Sequence, residues 1–139
     1  MIRTIFVALP LACAGCAPLS AEKSFFGQAT PLCDVVKNEQ RYAGQRIMVR
    51  AFLVSTPHER EIYDPECRRS AQLRGSSDAW NRNAQRVIEA ALANNKLPGV
   101  PVVVSGIFQP WTRYENGRRI INAWGPYIEE ARIVAARQP

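Results

Sequence analysis

The sequence predicts a small, mostly β domain: a barrel of five strands with one main helix between the third and fourth strands. Apolar side chains alternate on one face of residues 47–53, as they do in a half-buried strand. Apolar residues recur at helical spacing between Trp80 and Leu92. The apolar run at 100–108 predicts a strand buried on both faces. Another small α+β roll is the alternative fold.

Turn and capping signals place the remaining elements. Thr30 is predicted as the N-cap of a short helix over 32–37, and the polar cluster at 76–78 as the cap of the main helix. Asn116 and Gly117 predict a tight hairpin turn, because both residues tolerate positive φ angles. Further strands are predicted at 60–64, 70–74, 111–114, 118–123 and 127–134.

The segment that begins at Tyr42-x-Gly44 and continues as a β-rich run to Val54 resembles the first strand of OB-fold barrels. In those barrels this pattern introduces a long, strongly bent strand. Ala51 stands where the pattern has its bend glycine, so a bulge has to supply the bend or the bend is weaker. The order of elements is also that of the OB fold. The resemblance covers most of residues 42–134 and extends to small exported bacterial proteins of unknown function.

The N-terminus has the pattern of an export signal. Arg3 is followed by an apolar run over 5–14, which is too short to cross a bilayer of about 30 Å as a helix. The run ends in Cys13-Ala14-Gly15-Cys16, which resembles the lipobox of bacterial lipoproteins, with Cys13 where that motif usually has Leu. The resemblance implies that Cys16 is lipidated and that the protein is anchored in the bacterial cell envelope, facing the periplasm or the exterior.

Two other fates of the N-terminus remain open. Cleavage after Ala14 or Ala21 would release a soluble periplasmic protein, and an uncleaved segment would itself be the anchor. Residues 1–16 are therefore predicted as the signal, 17–29 as a poorly ordered tether and 30–139 as a single OB-like globular domain.

Cys33 and Cys67 are the two cysteines that remain in the predicted globular domain. In an oxidising compartment two such thiols suggest one disulfide, which would close a loop of about 35 residues and contribute about 3 to 4 kcal/mol. A metal site has little support, because the chain has one histidine, His58, and no Cys-x-x-Cys spacing. The sequence predicts neither a metal nor another cofactor.

Charge and motif content narrow the function class. The formal net charge of +6 points to anionic lipids, polysaccharides or acidic partners before nucleic acid. His58-Glu59 lacks the second histidine of a zinc protease motif, and no nucleophile elbow, phosphate loop or nucleotide fingerprint is present. Glu129 and Glu130 are neighbours on a predicted strand, so they point to opposite faces and cannot share a substrate. The sequence predicts no enzyme.

One stretch interleaves aromatic and guanidinium groups, which together suit stacking on rings and clamping of anionic groups. Its residues, the candidate ligand-binding set, are Trp111, Arg113, Tyr114, Arg118, Arg119, Trp124 and Tyr127. The OB resemblance places them in the loop between the fourth and fifth strands, which forms the usual ligand face with the first loop around Pro57 and His58, so His58 is also a candidate ligand-binding residue. The alternative to a binding site is that the aromatic rings pack across the strands of the hairpin and the arginines are solvated. Trp80 is predicted as a core anchor on the main helix.

These observations predict a non-catalytic binding or interaction module of the cell envelope, held at the membrane through an N-terminal lipid. Its partner would be an envelope protein, a glycan or another anionic ligand. The alternative is an OB-fold protein that binds nucleic acid or an anionic glycan, which the fold and the positive charge permit. The export signal argues against nucleic acid.

Overall fold

The computed structural model of the chain describes residues 18–55, 60–94 and 99–139. The predicted export signal, the predicted lipidation site Cys16 and His58 lie outside these residues. The strands are β1 (Thr30–Pro31), β2 (Arg46–Ser55), β3 (Arg60–Asp64), β4 (Arg69–Leu73), β5 (Val100–Gln109), β6 (Thr112–Glu115), β7 (Arg118–Ile121) and β8 (Tyr127–Ala136). The α-helices are α1 (Pro18–Gln28), α2 (Leu32–Lys37), α3 (Glu39–Tyr42) and α4 (Arg82–Ala93).

Five of these strands close into a barrel, which confirms the predicted fold class. Strand β2 pairs with both β3 and β5, β3 pairs with β4, and β8 joins β4 to β5, so the order β2-β3-β4-β8-β5 returns to β2. The β4–β8 pair is parallel and the other barrel pairs are antiparallel. In chain order α4 lies between β4 and β5, which are the third and fourth strands of the barrel, because β1 only adds two residues at the edge of β2.

The barrel interior is filled by the inward-facing residues of each strand, and α4 closes one end with Ala84, Ile88 and Ala91. Each fully buried Val, Leu, Ile or Phe contributes about 1.5 to 3 kcal/mol through removal of apolar surface from water. The largest fully buried side chains are Phe108, Leu32, Leu53, Ile62, Ile128, Ile133, Val35, Val49, Val100, Val102, Val103 and Val104. The apolar alternation predicted at 47–53 therefore marks the inward face of β2.

The barrel is bent by irregularities in β8. The register of β2 against β5 runs without interruption over 46–53, so no bulge forms at Ala51. The β5–β8 register instead shifts twice, and the extra residue at the second shift, Glu130, has a φ of 50°. Gly106 lies opposite that bulge, where a Cβ would approach the Glu129 carbonyl oxygen at 2.6 Å and the Ile128 side chain more closely still. The bulges that the sequence assigned to β2 lie instead in β8, on the far side of β5.

Residues 18–29 differ from the predicted tether. Pro18–Gln28 forms α1, and Phe26 and Ala29 are buried in a small cluster on the outside of the barrel with Val103 and Ala135. The Arg137 guanidinium stacks over the Phe26 ring at 3.8 Å. The helix has no repeating apolar period of its own, so contacts with distant strands stabilise it.

The start of α2 also differs from its prediction. Thr30 and Pro31 pair in parallel with Val49 and Arg50 as strand β1, so Thr30 does not cap the helix. Pro31 occupies the N-cap position and makes no side-chain capping bond. The predicted helix over 32–37 is confirmed, because its burial against the barrel supplies the stability that the cap does not.

Trp80 lies before α4 and not within it. Ser76 caps a short 3₁₀ turn, Ser77–Ala79, and α4 begins only after Asn81, whose Oδ1 accepts hydrogen bonds from the backbone N–H groups of Asn83 and Ala84 at 2.9 and 3.3 Å. The sequence therefore has two consecutive capping residues, Ser76 and Asn81, and the long helix begins after the second. Trp80 still packs against the core, half-buried, with the Arg60 guanidinium 5.0 Å from its ring centroid.

The predicted disulfide is present. Cys33 of α2 is bonded to Cys67 of the β3–β4 turn, with a Cα–Cα separation of 5.8 Å. For a sequence separation of 34 residues the chain-entropy model gives about 4 kcal/mol of stabilisation. None of the helices in the described ranges is long and apolar enough to cross a lipid bilayer.

Candidate functional site

The β6–β7 hairpin forms a two-stranded sheet separate from the barrel. Asn116 and Gly117 have φ angles of 48° and 75°, so the predicted tight turn is confirmed. The register pairs Tyr114 with Arg119 and Thr112 with Ile121, which places these four side chains on one face of the hairpin. That face is exposed, since Tyr114 and Ile121 are 66% and 54% accessible.

Most of the exposed large apolar side chains in the described residues lie in or beside this hairpin. They are Trp111, Tyr114, Ile121 and Trp124; the fifth, Leu92, belongs to α4. Aromatic residues and arginines are the side chains that interfaces favour, and a cluster of them on an exposed loop is typical of a binding surface. The hairpin region is therefore the first candidate for contact with a ligand.

Two of these side chains line a groove of about 200 Å³. Trp111 and Trp124, with the adjoining Gly125 and Pro126, line it from the long loop between β5 and β8. The remaining lining residues come from β3, β4, the turn between them, and α2 and α3; they are Glu61, Arg68, Arg69, Ser70, Ala71, Gln72, Val36 and Glu39. The groove thus lies between the second and third barrel strands and the last long loop, whereas the first loop around Pro57 and His58 lies outside the described residues.

One segment, residues 32–42, connects the two sides of this groove; we call it the α2–α3 segment. Its Cys33 is covalently bound to Cys67, next to Arg68 on one side. On the other side, Glu39 accepts a hydrogen bond from the Trp111 backbone N–H at 3.0 Å, and the Gln40 side chain donates to the Thr112 carbonyl at 2.8 Å. The separation of the Trp111 loop and the Arg68 turn is therefore set by contacts with the same short segment.

The charge in the groove is mixed, with guanidinium groups available for a ligand. Arg68 and Arg69 are exposed and form no ion pair with any described residue. Arg68 has a φ of 56°, a left-handed backbone conformation in the turn directly before β4. Of the two lining carboxylates, Glu39 already accepts a hydrogen bond from the backbone. Two indole rings beside two guanidiniums suit a ligand that carries both a ring to stack on and an anionic group.

The structure divides the predicted ligand-binding set. Trp111 and Trp124 line the groove, whereas Tyr114, Arg118 and Arg119 are exposed on the hairpin outside it. Arg113 is half-buried, and its guanidinium forms an ion pair with Glu115 at 3.1 Å. Its charge is therefore already paired within the hairpin. Tyr127 is buried, and the Arg74 guanidinium covers its ring at 3.7 Å. Tyr127 is therefore a structural residue, which corrects its place in the predicted set.

Arg68 and Arg69 were not predicted as site residues. Their signal in the sequence is their position directly after Cys67, in the turn that leads into the third barrel strand. That signal has meaning only once the disulfide and the strand order are known, because those place the turn opposite a loop about 50 residues later in the chain.

The described residues give no metal site in the disulfide state. Cys33, Cys67 and Asp64 place their ligand atoms within 4.8 Å of one another, but both sulfurs are in the disulfide and offer no thiolate. Asp64 instead accepts a hydrogen bond from the Glu66 backbone N–H at 3.0 Å. These three residues form a structural link and have no free coordinating set.

Glu129 and Glu130 do not lie on opposite faces, which corrects the prediction: the bulge at Glu130 leaves both outside the barrel, between the inward-facing Ile128 and Ala131. Glu129 accepts a hydrogen bond from the Gln109 side chain at 3.1 Å, and Glu130 forms an ion pair with Arg46. The barrel, the hairpin and the groove define an OB-like domain with a candidate ligand face within the described residues. Comparison of the chain with protein-family models, with curated proteins and with solved structures gave no significant match.

Proposed function

We propose that the chain is a non-catalytic binding module of the bacterial cell envelope, anchored through a lipid on Cys16, that holds an anionic glycan in the groove. One observation carries the binding role: Trp111 and Trp124 meet Arg68 and Arg69 at a single groove on the ligand face of an OB-like barrel. The disulfide is compatible with a compartment outside the cytoplasm, where such bonds persist.

The choice of an anionic glycan follows from the chemistry of the lining. An indole face stacks on the apolar face of a sugar ring, and a guanidinium forms two parallel hydrogen bonds with a carboxylate or phosphate. Ser70 and Gln72 line the groove from β4 and offer hydroxyl and amide groups for sugar hydroxyls. Acidic polysaccharides combine all three features, and they occur in the compartment that the export signal implies.

The test of the binding role uses oligogalacturonate as the probe, followed by tryptophan fluorescence and by titration calorimetry. Trp124→Ala is expected to weaken binding about tenfold, because stacking on one aromatic side chain contributes about 1 to 3 kcal/mol. The matched control is Tyr114→Ala, which removes an aromatic side chain of similar exposure outside the groove, 66% against 71% for Trp124. Its affinity should stay within about twofold of the wild type.

Equal losses in the two variants, or no binding of the acidic probe, would contradict the proposed site. A neutral dextran oligomer and a single-stranded oligonucleotide of equal length complete the comparison. Tighter binding of the oligonucleotide would favour the alternative, a nucleic-acid-binding OB-fold protein, which the stacking residues and the positive charge also suit.

The test of the anchor is the intact mass of the protein from membrane and soluble fractions. A chain that begins at Cys16 and carries two or three acyl groups is the expected species. A mature soluble chain without acyl groups would overturn the anchor and leave the binding role to be judged by the titrations.

A further inference from the structure

A second surface of the molecule is strongly basic, and it lies where α1 packs on the barrel. The ladder register places Arg50 of β2 beside Val103 and Ala135, the residues that contact Phe26. The next outward-facing pair toward the hairpin end of β5 is Ser105 with Arg132. In the opposite direction along β5, the Arg137 backbone N–H donates to the Pro101 carbonyl at 2.9 Å. Three arginines therefore surround the C-terminal end of α1.

Two of these arginines hold α1 and also keep their charge at the surface. Arg50 donates a hydrogen bond to the Phe26 carbonyl at 3.3 Å, and the Arg137 guanidinium lies over the Phe26 ring. Arg132 is exposed and forms no ion pair with the described residues. We call Arg50, Arg132 and Arg137 the α1-side arginines.

The acidic groups of this part of the barrel already have partners. On the outward faces of β2, β5 and β8 the described carboxylates are Glu129 and Glu130, in the row next to Arg132, where Glu129 pairs with Ile107. Glu129 accepts a hydrogen bond from the Gln109 side chain, and Glu130 forms an ion pair with Arg46. By sequence, α1 carries one acidic and one basic residue and adds no net charge. The α1-side arginines therefore form a net positive surface.

Chain length places this surface close to the proposed lipid. Two Cα–Cα steps lead from Cys16 to Pro18 and span at most about 7 Å, and eight helical steps from Pro18 to Phe26 add about 12 Å. Phe26 is thus within about 20 Å of the acylated cysteine. A barrel connected to its lipid by so short a segment stays near the headgroup layer. The connection reaches the barrel through α1, so the face that α1 covers is the face nearest the lipid.

We propose that the α1-side arginines contact the headgroups of anionic phospholipids and so orient the anchored barrel on its membrane. This inference rests on the lipid anchor of the proposed function. The orientation leaves the ligand groove accessible. In strand order β3 and β4 lie across the barrel from β5, and six residues of β5, about 20 Å, separate Val103 from Gln109 at the hairpin end. The groove would therefore face away from the bilayer.

The test is arginine footprinting of the full-length protein, purified from membranes and reconstituted into vesicles. Phenylglyoxal labels accessible guanidiniums, and peptide mass spectrometry gives the labelling rate of each arginine. The rates at Arg132 and Arg137 should be about fivefold lower in vesicles of phosphatidylglycerol and phosphatidylethanolamine than in phosphatidylcholine vesicles. About 0.5 M NaCl should abolish the difference, because salt screens charges at an exposed surface.

Arg68 and Arg69 are the internal controls, since they are exposed on the groove side and should label equally in both vesicles. Equal rates at Arg132 and Arg137 in both lipids, or equal protection of all four arginines, would overturn the orientation. An Arg132→Glu variant should reduce the protection of Arg137 to about half or less; unchanged protection of Arg137 would also count against the surface. Intact mass of the same samples reports acylation at Cys16, so failure of the anchor and failure of the surface are read separately.

Discussion

The seam between β5 and β8 and the β6–β7 hairpin are both antiparallel ladders, and they adjoin in the chain, yet their side chains have opposite surroundings. Val102, Val104 and Phe108 of the seam are completely buried, whereas Tyr114 and Ile121 of the hairpin are more than half exposed. Packing in the core therefore explains why the seam side chains are apolar. It does not account for the hairpin aromatics, whose apolar surface is covered only if a ligand or partner contacts it.

The largest effect on stability is expected where the barrel is covalently linked to α2. Replacing both cysteines, Cys33→Ser with Cys67→Ser, should lower the free energy of unfolding by about 4 kcal/mol, because the unfolded chain regains the entropy of an open loop. Urea unfolding followed by circular dichroism measures the change. The wild type under reducing conditions is the control and should lose a similar amount; a loss below about 1 kcal/mol in both would contradict the structural role of the bond.

A glycine in each ladder gives a matched comparison. Gly106→Ala in the seam should cost about 3 kcal/mol, since its Cβ would overlap the Ile128 side chain and the Glu129 backbone. Gly117→Ala in the hairpin should cost about 1 kcal/mol, because it meets no atom within 4 Å and only its positive φ is unfavourable. Thermal and urea unfolding of both variants would rank them. The reverse ranking would show that the hairpin is the more tightly constrained ladder.

The smallest effect is expected on the exposed face of the hairpin. Tyr114→Ala combined with Ile121→Ala should change the free energy of unfolding by no more than about 0.5 kcal/mol, as is usual for surface substitutions. The measurement is urea unfolding, with Phe108→Ala in the core as the contrast at about 3 to 5 kcal/mol. A loss above about 1.5 kcal/mol in the double variant would show that the two side chains stabilise the fold.

Most of the barrel could be predicted from the sequence because its strands carry a local signal. The alternation in β2, the apolar run of β5 and the turn at Asn116 are each decided by residues close in the chain. Helix α1 carries no such signal, since Phe26 is stabilised by Val103 and Ala135 more than 70 residues later. Trp80 was assigned to the wrong element because two capping signals in series look alike in sequence.

The candidate site was predicted in part, and the reason is similar. Trp111 and Trp124 stand out in composition, and an exposed loop keeps them accessible. Arg74, which covers Tyr127, directly follows β4 and lies more than 50 residues earlier in the chain, so the burial of that ring could not be predicted from its sequence neighbours. The same holds for Arg68 and Arg69, whose place opposite Trp124 depends on how the barrel closes.

The α2–α3 segment has a consequence for affinity. Because one covalent bond and two hydrogen bonds tie both sides of the groove to eleven consecutive residues, the empty site already has the spacing that a bound ligand would meet. Binding then orders few groups, and little conformational entropy is lost on association. A modest contact area can therefore give useful affinity here, and reduction of the disulfide would weaken binding by restoring the freedom of the two sides before it affected any contact with the ligand.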